Sequence, residues 1–366
     1  VGKWGKVRGR LKAIWLSLRL IWNAKRLKNG KCLKLLSENE ARFLRSFFDC
    51  DVFLIVGGGN LNDIAPWDGL IPRGVEIILA KIFDKPVYLG AQGIGPLRKK
   101  WTRLFARIVL ERADLITLRE EHSYSLLRDL GVKNPRVKVV PDDAFNINAV
   151  SEEQAAELLL NEGIDIRGLS RNGMIKIGLS TRPWWKRPGN EKMKKAFLET
   201  ISYLLQNERT YLIFISTAYG EYWRGYNDKM GAKELLEALN PKMDRVKILN
   251  RKYDSQEVKA ILSLCDLLIT NSYHPAVFST SMGIPSLGLY QDLYYRAKLH
   301  GLFKMMDMKD YAIHVAKTST KELILKIDEL VQRRDEIRQK LIGKAKSIRE
   351  NTCHAASQVT RYLVNQ

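Results

Sequence analysis

The stretch DLLITNSYHPAVFSTSMGIPSLGLY (266–290) decides the fold. Asp266 to Thr270 is an apolar run of strand length. Asn271-Ser272-Tyr273-His274-Pro275 reads as a tight turn, Ala276 to Gly283 as a helix, and Pro285 to Tyr290 as a second strand. In an open α/β sheet, ligands bind beyond the carboxyl ends of strands, where helix N-termini point. His274 is therefore expected at a helix start that helps hold an anion. It is one of five histidines and the best placed for proton transfer.

Working backwards, the same alternation recurs. Met174–Leu179, Tyr211–Ile215 and Val246–Leu249 predict strands, separated by helices over Glu191–Gln206, Asp228–Leu239 and Ser255–Cys265. The loop from Ser216 to Tyr226 is rich in aromatic residues. The first half repeats the pattern. Ser37-Glu38-Asn39-Glu40 is a capping box opening a helix, Asp51–Val56 is a buried strand, and Gly57-Gly58-Gly59-Asn60 follows it directly. Pro86–Gly90 is a strand that ends in Gln92-Gly93-Ile94-Gly95-Pro96, a second glycine-rich turn. Strands at 114–118 and 137–140 complete this half. Strands alternating with helices predict an α/β protein with parallel sheets. The expected architecture is two Rossmann-like domains facing a cleft, followed by a helical C-terminus. The boundaries are a basic amphipathic segment over 1–36, an N-terminal domain over 37–165, a linker over 164–173, a C-terminal domain over 174–318, and helices over 319–366.

The 366 residues are enough for two domains, and no stretch approaches 18 uninterrupted apolar residues. Cys32, Cys50, Cys265 and Cys353 lack paired spacing, which argues against zinc and disulfides and for a reducing cytosol. The expected location is cytoplasmic. The formal net charge is +21, with much of the excess in the first 35 residues, interleaved with Trp4, Trp15, Leu18, Leu20, Ile21 and Trp22. Residues 10–28 predict a basic amphipathic helix, which either lies on anionic lipid at the inner face of a membrane or packs its Trp/Leu stripe on its own domain. No nucleic-acid motif accompanies the charge, and nucleic acid is not an expected partner. The recurring charges leave no apolar core for a secretory signal.

The polar residues expected at strand carboxyl ends are Asn60, Gln92, Arg119, Asp142, Asp143, Arg182, Asn271, Tyr273 and His274, with Arg296 and Lys298 one unit later. Cations, an imidazole and two adjacent carboxylates suit an anionic small molecule, since Arg grips carboxylate or phosphate through paired hydrogen bonds. Plainer roles compete. Arg119 can pair with Glu120 or Glu121, Asp142 and Asp143 can cap a turn, His274 can be a helix cap, and Tyr294-Tyr295 can be core.

Six blocks in order carry a resemblance: DVFLIVGGGNL (51–61), PVYLGAQGIGPL (86–97), ITLREEHSYSLLRDLGV (116–132), VVPDDAF (139–145), IGLSTRPWW (177–185) and the 266–290 stretch. Together they make the chain similar to the polysaccharide pyruvyl transferase family. That resemblance implies two Rossmann-like domains in a GT-B-like arrangement. It also implies transfer of an enolpyruvyl unit from phosphoenolpyruvate to a sugar of a polysaccharide or glycan precursor, closed as a cyclic ketal. In that chemistry the methylene carbon of phosphoenolpyruvate is protonated, a sugar hydroxyl attacks C2, phosphate leaves, and a neighbouring hydroxyl closes the ring. No metal or redox cofactor is expected. The implied roles are Arg182 and Lys298 on the donor anion, His274 as general acid, and Asp142 or Asp143 orienting or deprotonating the acceptor. Arg119, Tyr273, Asn60 and Gln92 would add binding contacts. The turns Gly57, Gly58, Gly59 and Gly93, Gly95 would let backbone amides approach the ligands. Two departures stand out. Ser272 occupies the place of an arginine in the commoner pattern, with Tyr294, Tyr295 and Lys298 fitting a Ser-Tyr-His branch. Nothing before residue 51 matches the usual Gly-Asn-x-Gly-Asp turn, so the first unit is either missing or replaced by the basic segment. Two other functions fit the same pattern: a glycosyltransferase with a nucleotide-sugar donor, and a non-catalytic membrane-surface scaffold.

Overall fold

The computed structural model describes residues 3–364 apart from 134–135, 188, 221–226 and 241–242, and gives no account of the side chains of 3–6, 243 and 352–364. Trp4, Cys353 and part of the aromatic loop 216–226 therefore lie outside the described residues. The chain divides into two compact units, Val1–Pro141 and Asp142–Gln366.

The first unit holds a four-stranded parallel sheet in the order β1-β2-β3-β4, with β1 Phe53–Val56, β2 Val87–Gln92, β3 Leu115–Leu118 and β4 Val137–Val139. Its helices are α1 Lys3–Lys28, α2 Glu38–Asp49, α3 Leu70–Ile82, α4 Lys100–Leu110 and α5 Glu121–Asp129. The expected capping box is present: Ser37 Oγ accepts from the Glu40 amide, and the Glu40 carboxylate accepts from the Ser37 amide. Helix α1 packs Leu20 and Ala24 into the core with Leu44 and Phe47 of α2. Buried Asn23 fixes the chain where it turns back. Its amide nitrogen donates to the carbonyls of Arg19 and Lys34, and its oxygen accepts from the Lys34 amide.

The second unit holds a six-stranded parallel sheet in the order β10-β9-β8-β5-β6-β7. Its strands are β5 Ile175–Ser180, β6 Thr210–Phe214, β7 Val246–Ile248, β8 Leu267–Thr270, β9 Ser286–Tyr290 and β10 Ala312–His314. Read from the other edge this is the dinucleotide-fold order, in which the direction of winding reverses between the first strand, here β5, and the fourth, here β8. Strands β6, β8 and β9 are buried at every position, as a sheet covered on both faces requires. The helices are α6 Glu152–Asn161, α7 Ile166–Arg171, α8 Glu191–Leu205, α9 Asp228–Leu239, α10 Ser255–Ser263, α11 Tyr273–Ser281, α12 Leu293–Tyr295, α13 Gly301–Met305, α14 Thr320–Gln332 and α15 Arg334–Val364. A single π-turn, Arg296–His300, joins α12 to α13.

Residues 164–173, read from sequence as a linker, contain α7. Asp165 caps it through the Gly168 amide, and Ile164 and Ile166 are buried in the core of the second unit. Strand β10 has no counterpart in the sequence reading. No helix among the described residues is long and apolar enough to cross a membrane.

Candidate functional site

In the first unit the two glycine turns are bonded to each other. The amides of Gly57, Gly93 and Gly95 donate to the carbonyls of Gly90, Gly58 and Leu61 at 2.8, 2.8 and 2.9 Å, and Leu61 and Ile94 form a parallel bridge. These three amides, expected to face ligands, instead zip one turn to the other. Gly57 and Gly58 have φ of 56° and 110°, a region closed to most side chains. Gly93 is needed for close approach, because a Cβ there would lie 2.7 Å from Glu120 Oε1 and 2.9 Å from Arg119 Nη2.

That contact explains Arg119. Its side chain is 1% exposed and its Nε donates to Glu120 Oε2 at 3.1 Å. Ser123 Oγ donates to Glu120 Oε1 and accepts from the Ile94 amide. Arg119, expected as a substrate ligand, is part of a buried lock beneath the second turn. Gln92 is likewise committed to the scaffold: its amide nitrogen donates to the carbonyls of Ile55, Gly57 and Gly90. Asn60 is exposed on the first turn, and Gly59 is buried beside it. Sequence reasoning missed Asn62 and Asp63. Asn62 closes the first turn onto the Gly59 carbonyl, and Asp63 accepts from the Arg98 and Lys99 amides.

In the second unit the reversal of winding falls between β5 and β8. Arg182 follows β5 and Asn271 follows β8. The two residues meet through a paired contact: the Arg182 amide donates to Asn271 Oδ1 at 2.8 Å, and Asn271 Nδ2 donates to the Arg182 carbonyl at 2.8 Å. The Arg182 side chain turns to α9, where its Nε donates to Asp228 Oδ1 at 3.0 Å. Asp228 is itself fully buried, and its Oδ2 accepts from the Thr217 and Ala218 amides, both at 2.9 Å. Burial by itself would lower the guanidinium's pKa. The Asp228 carboxylate and Tyr295 together outweigh it, and the net shift is upward.

Tyrosines link this arginine to Lys298. Tyr295 is buried, lies 5.4 Å from the Trp184 ring, and interacts electrostatically with the Arg182 guanidinium. Lys298, on the π-turn, donates to the Tyr294 hydroxyl. Its ammonium sits 4.0 Å from the Tyr294 ring centre and 5.9 Å from those of Tyr273 and Tyr295. Tyr273 opens α11, and its ring is 5.6 Å from that of His274, which is exposed on the first turn of the helix. Arg182, Lys298, Tyr273 and His274 thus form one connected group at the carboxyl end of the sheet. Three hydroxyls at the same strand ends, Ser180 Oγ, Thr181 Oγ1 and Ser272 Oγ, are buried without a hydrogen-bond partner. Such hydroxyls are costly unless something satisfies them.

The two adjacent carboxylates separate in role. Asp142 caps a 3-10 turn, Asp143–Asn146, by accepting from the Ala144 amide at 3.0 Å. Asp143 is pushed above the usual carboxylate range by desolvation and by Asp142 beside it. The turn packs against α11, and buried Lys259 of α10 fastens it by donating to the Phe145 and Ile147 carbonyls at 3.0 and 2.7 Å. Neither Asp228 nor Lys259 stood out in the sequence. The Asn227-Asp228 pair signals only a helix start, and its partner is 46 positions away.

Fold and site together define a two-unit α/β protein whose second unit gathers cations and hydroxyls at its switch point. Residues 3–292 match the family described as polysaccharide pyruvyl transferase, and the chain belongs to that family. It is similar to the amylovoran biosynthesis protein AmsJ of Erwinia amylovora, with 24% identity over 307 residues, 82% of this chain and 71% of that one. Among solved structures it resembles HepE from Anabaena in complex with UDP-glucose, with a TM-score of 0.55, 14% identity and 96% of each chain covered. It also resembles a putative UDP-N-acetylglucosamine 2-epimerase from Listeria monocytogenes, with a TM-score of 0.53, 14% identity, and 85% of this chain and 75% of that one covered. These likenesses establish the GT-B fold class and nothing further about chemistry.

Proposed function

We propose that this transferase moves the enolpyruvyl unit of phosphoenolpyruvate onto a sugar of a polysaccharide or glycan precursor. The observation that carries the reading is the connected group at the β5/β8 switch point. Arg182 is held there by Asn271 and Asp228, Lys298 stands among three tyrosines, and His274 lies on the first turn of α11 beside them. Phosphoenolpyruvate brings a phosphate and a carboxylate, and the group offers two cations, a helix N-terminus and buried hydroxyls. His274 supplies the proton to the methylene carbon. Asp143, with its raised pKa, is the better of the two carboxylates to take the proton from the attacking hydroxyl. Asp142 holds the turn. Contact with anionic lipid, which would bring the chain to a lipid-linked acceptor, is part of the same proposal.

The competing reading, sugar transfer from a nucleotide sugar, draws on the likeness to HepE in complex with UDP-glucose. Titration calorimetry of the chain with phosphoenolpyruvate and with UDP-glucose separates the two. Saturable binding of phosphoenolpyruvate, weakened in Arg182→Ala and Lys298→Ala, is expected. Binding of UDP-glucose with none of phosphoenolpyruvate would refute the proposal.

A further inference from the structure

Helix α1 has two apolar faces, and only one of them is used. Leu16, Leu20, Ala24 and Leu27 turn inward with Asn23. At about 100° per residue, Val7, Leu11, Ile14, Trp15, Leu18 and Trp22 fall in a sector about 100° wide on the opposite side. All six are exposed, Leu11 and Leu18 at 61% and Trp15 at 56%. The stripe continues onto a second helix. Arg10 of α1 lies 5.8 Å from the ring of Trp67, whose ring is 6.2 Å from that of Trp101 on α4. Trp101, Leu104 and Ile108 of α4 are exposed in turn.

The charge carried by these two helices has one sign. Residues 1–37 contain eleven Lys and Arg and no Asp or Glu, and α4 contains no carboxylate either. Exposed Lys99, Lys100, Arg107 and Arg112 border the α4 patch. Arg19 and Arg26 lie 4.2 and 4.8 Å over the rings of Trp15 and Trp22, so cation and aromatic share the same stretch of surface. Arg19 and Lys28 also pair with Glu40 and Asp84 on neighbouring elements.

We infer that the outer faces of α1 and α4 form one docking surface for a bilayer with anionic headgroups. Aliphatic side chains between the cations belong below the headgroups, with the Lys and Arg reaching back to the phosphates and tryptophan at the boundary. Nucleic acid would use the charge but would leave Leu11, Leu18 and Leu104 in water. A second copy would bring like charge against like. The inference names the residues of the lipid contact and stands apart from the identity of the transferred group.

The test is flotation of the full chain with vesicles of phosphatidylcholine containing phosphatidylglycerol, and with vesicles of phosphatidylcholine alone. Binding only to the anionic vesicles, weakened by salt, is expected. Leu11→Glu/Leu18→Glu and, separately, Leu104→Glu should each lower it at least about tenfold. Circular dichroism and thermal melting should match wild type, because the inward face is untouched. Lys233→Glu, at an exposed position of α9 in the other unit, should change binding little. Four results would overturn the inference: no vesicle binding, binding indifferent to both leucine variants, tighter binding to duplex DNA that those variants leave intact, or a dimer abolished by the same variants.

Discussion

Removing the Asp228 carboxylate should cost the second unit much of its stability. In Asp228→Asn the shape is kept, but the buried guanidinium of Arg182 loses its counter-charge. An amide nitrogen must then face either Arg182 Nε or the amides of Thr217 and Ala218. The Arg182 side chain is only 20% exposed and Asp228 is not exposed at all, so water recovers little of the loss. Breaking such a pair from one side typically costs about 3–5 kcal/mol. At about 2–4 °C per kcal/mol for a unit of this size, the lower figure gives a fall of about 6–12 °C. Calorimetric melting of wild type, Asp228→Asn, Arg182→Met and the double variant completes a cycle. The double variant should be less destabilised than the sum of the singles by about 2 kcal/mol, because Met at 182 removes the orphaned charge. Additivity within about 0.5 kcal/mol, or a loss below about 3 °C in Asp228→Asn, would refute the reasoning.

Three further outcomes are expected. His274→Ala should lower turnover by about 10² to 10⁴ while phosphoenolpyruvate still binds by calorimetry; near-wild-type turnover would remove His274 as the acid. Burial, aided by Arg349, holds the Lys259 amine down at about 8, below its unfolded value. The folded state therefore sheds this proton first, so stability should be lowest below pH 8 and rise from pH 8 towards 10 relative to Lys259→Met. The gain approaches about 3 kcal/mol in urea titrations, and parallel curves would contradict it. Gly93→Ala should destabilise the first unit by about 1–3 kcal/mol, because its Cβ collides with the Arg119–Glu120 pair; an unchanged melting temperature would show that the pair can move.

Periodicity made most of this fold legible. The strand–turn–helix–strand reading of 266–290 became β8, α11 and β9, because each element is long enough to show its own repeat. Ser37 announces its helix through local capping chemistry. Burial against distant residues is not local, so Ile164 and Ile166 looked like part of a connection rather than core. The candidate site divides in the same way. Arg182, Lys298, Tyr273 and His274 come together because strand ends in a parallel sheet converge. Arg119 also lies at a strand end, yet whether its side chain faces a ligand or Glu120 depends on a turn 26 residues earlier. Asp228 fixes Arg182 from a helix start that nothing in the sequence ties to it.

Asn271 gives position 271 an unusual demand. Its side chain acts as a substitute peptide group, donating and accepting at once against the main chain of Arg182. Aspartate has the same outline but only accepts, so its carboxylate would face the Arg182 carbonyl where an N–H now donates. Leucine fills the volume and answers neither partner. Glutamine carries the right chemistry on an arm one methylene too long. The position is therefore specified by polarity and reach together, and an attempt to diversify this site should hold it fixed while varying the residues around it.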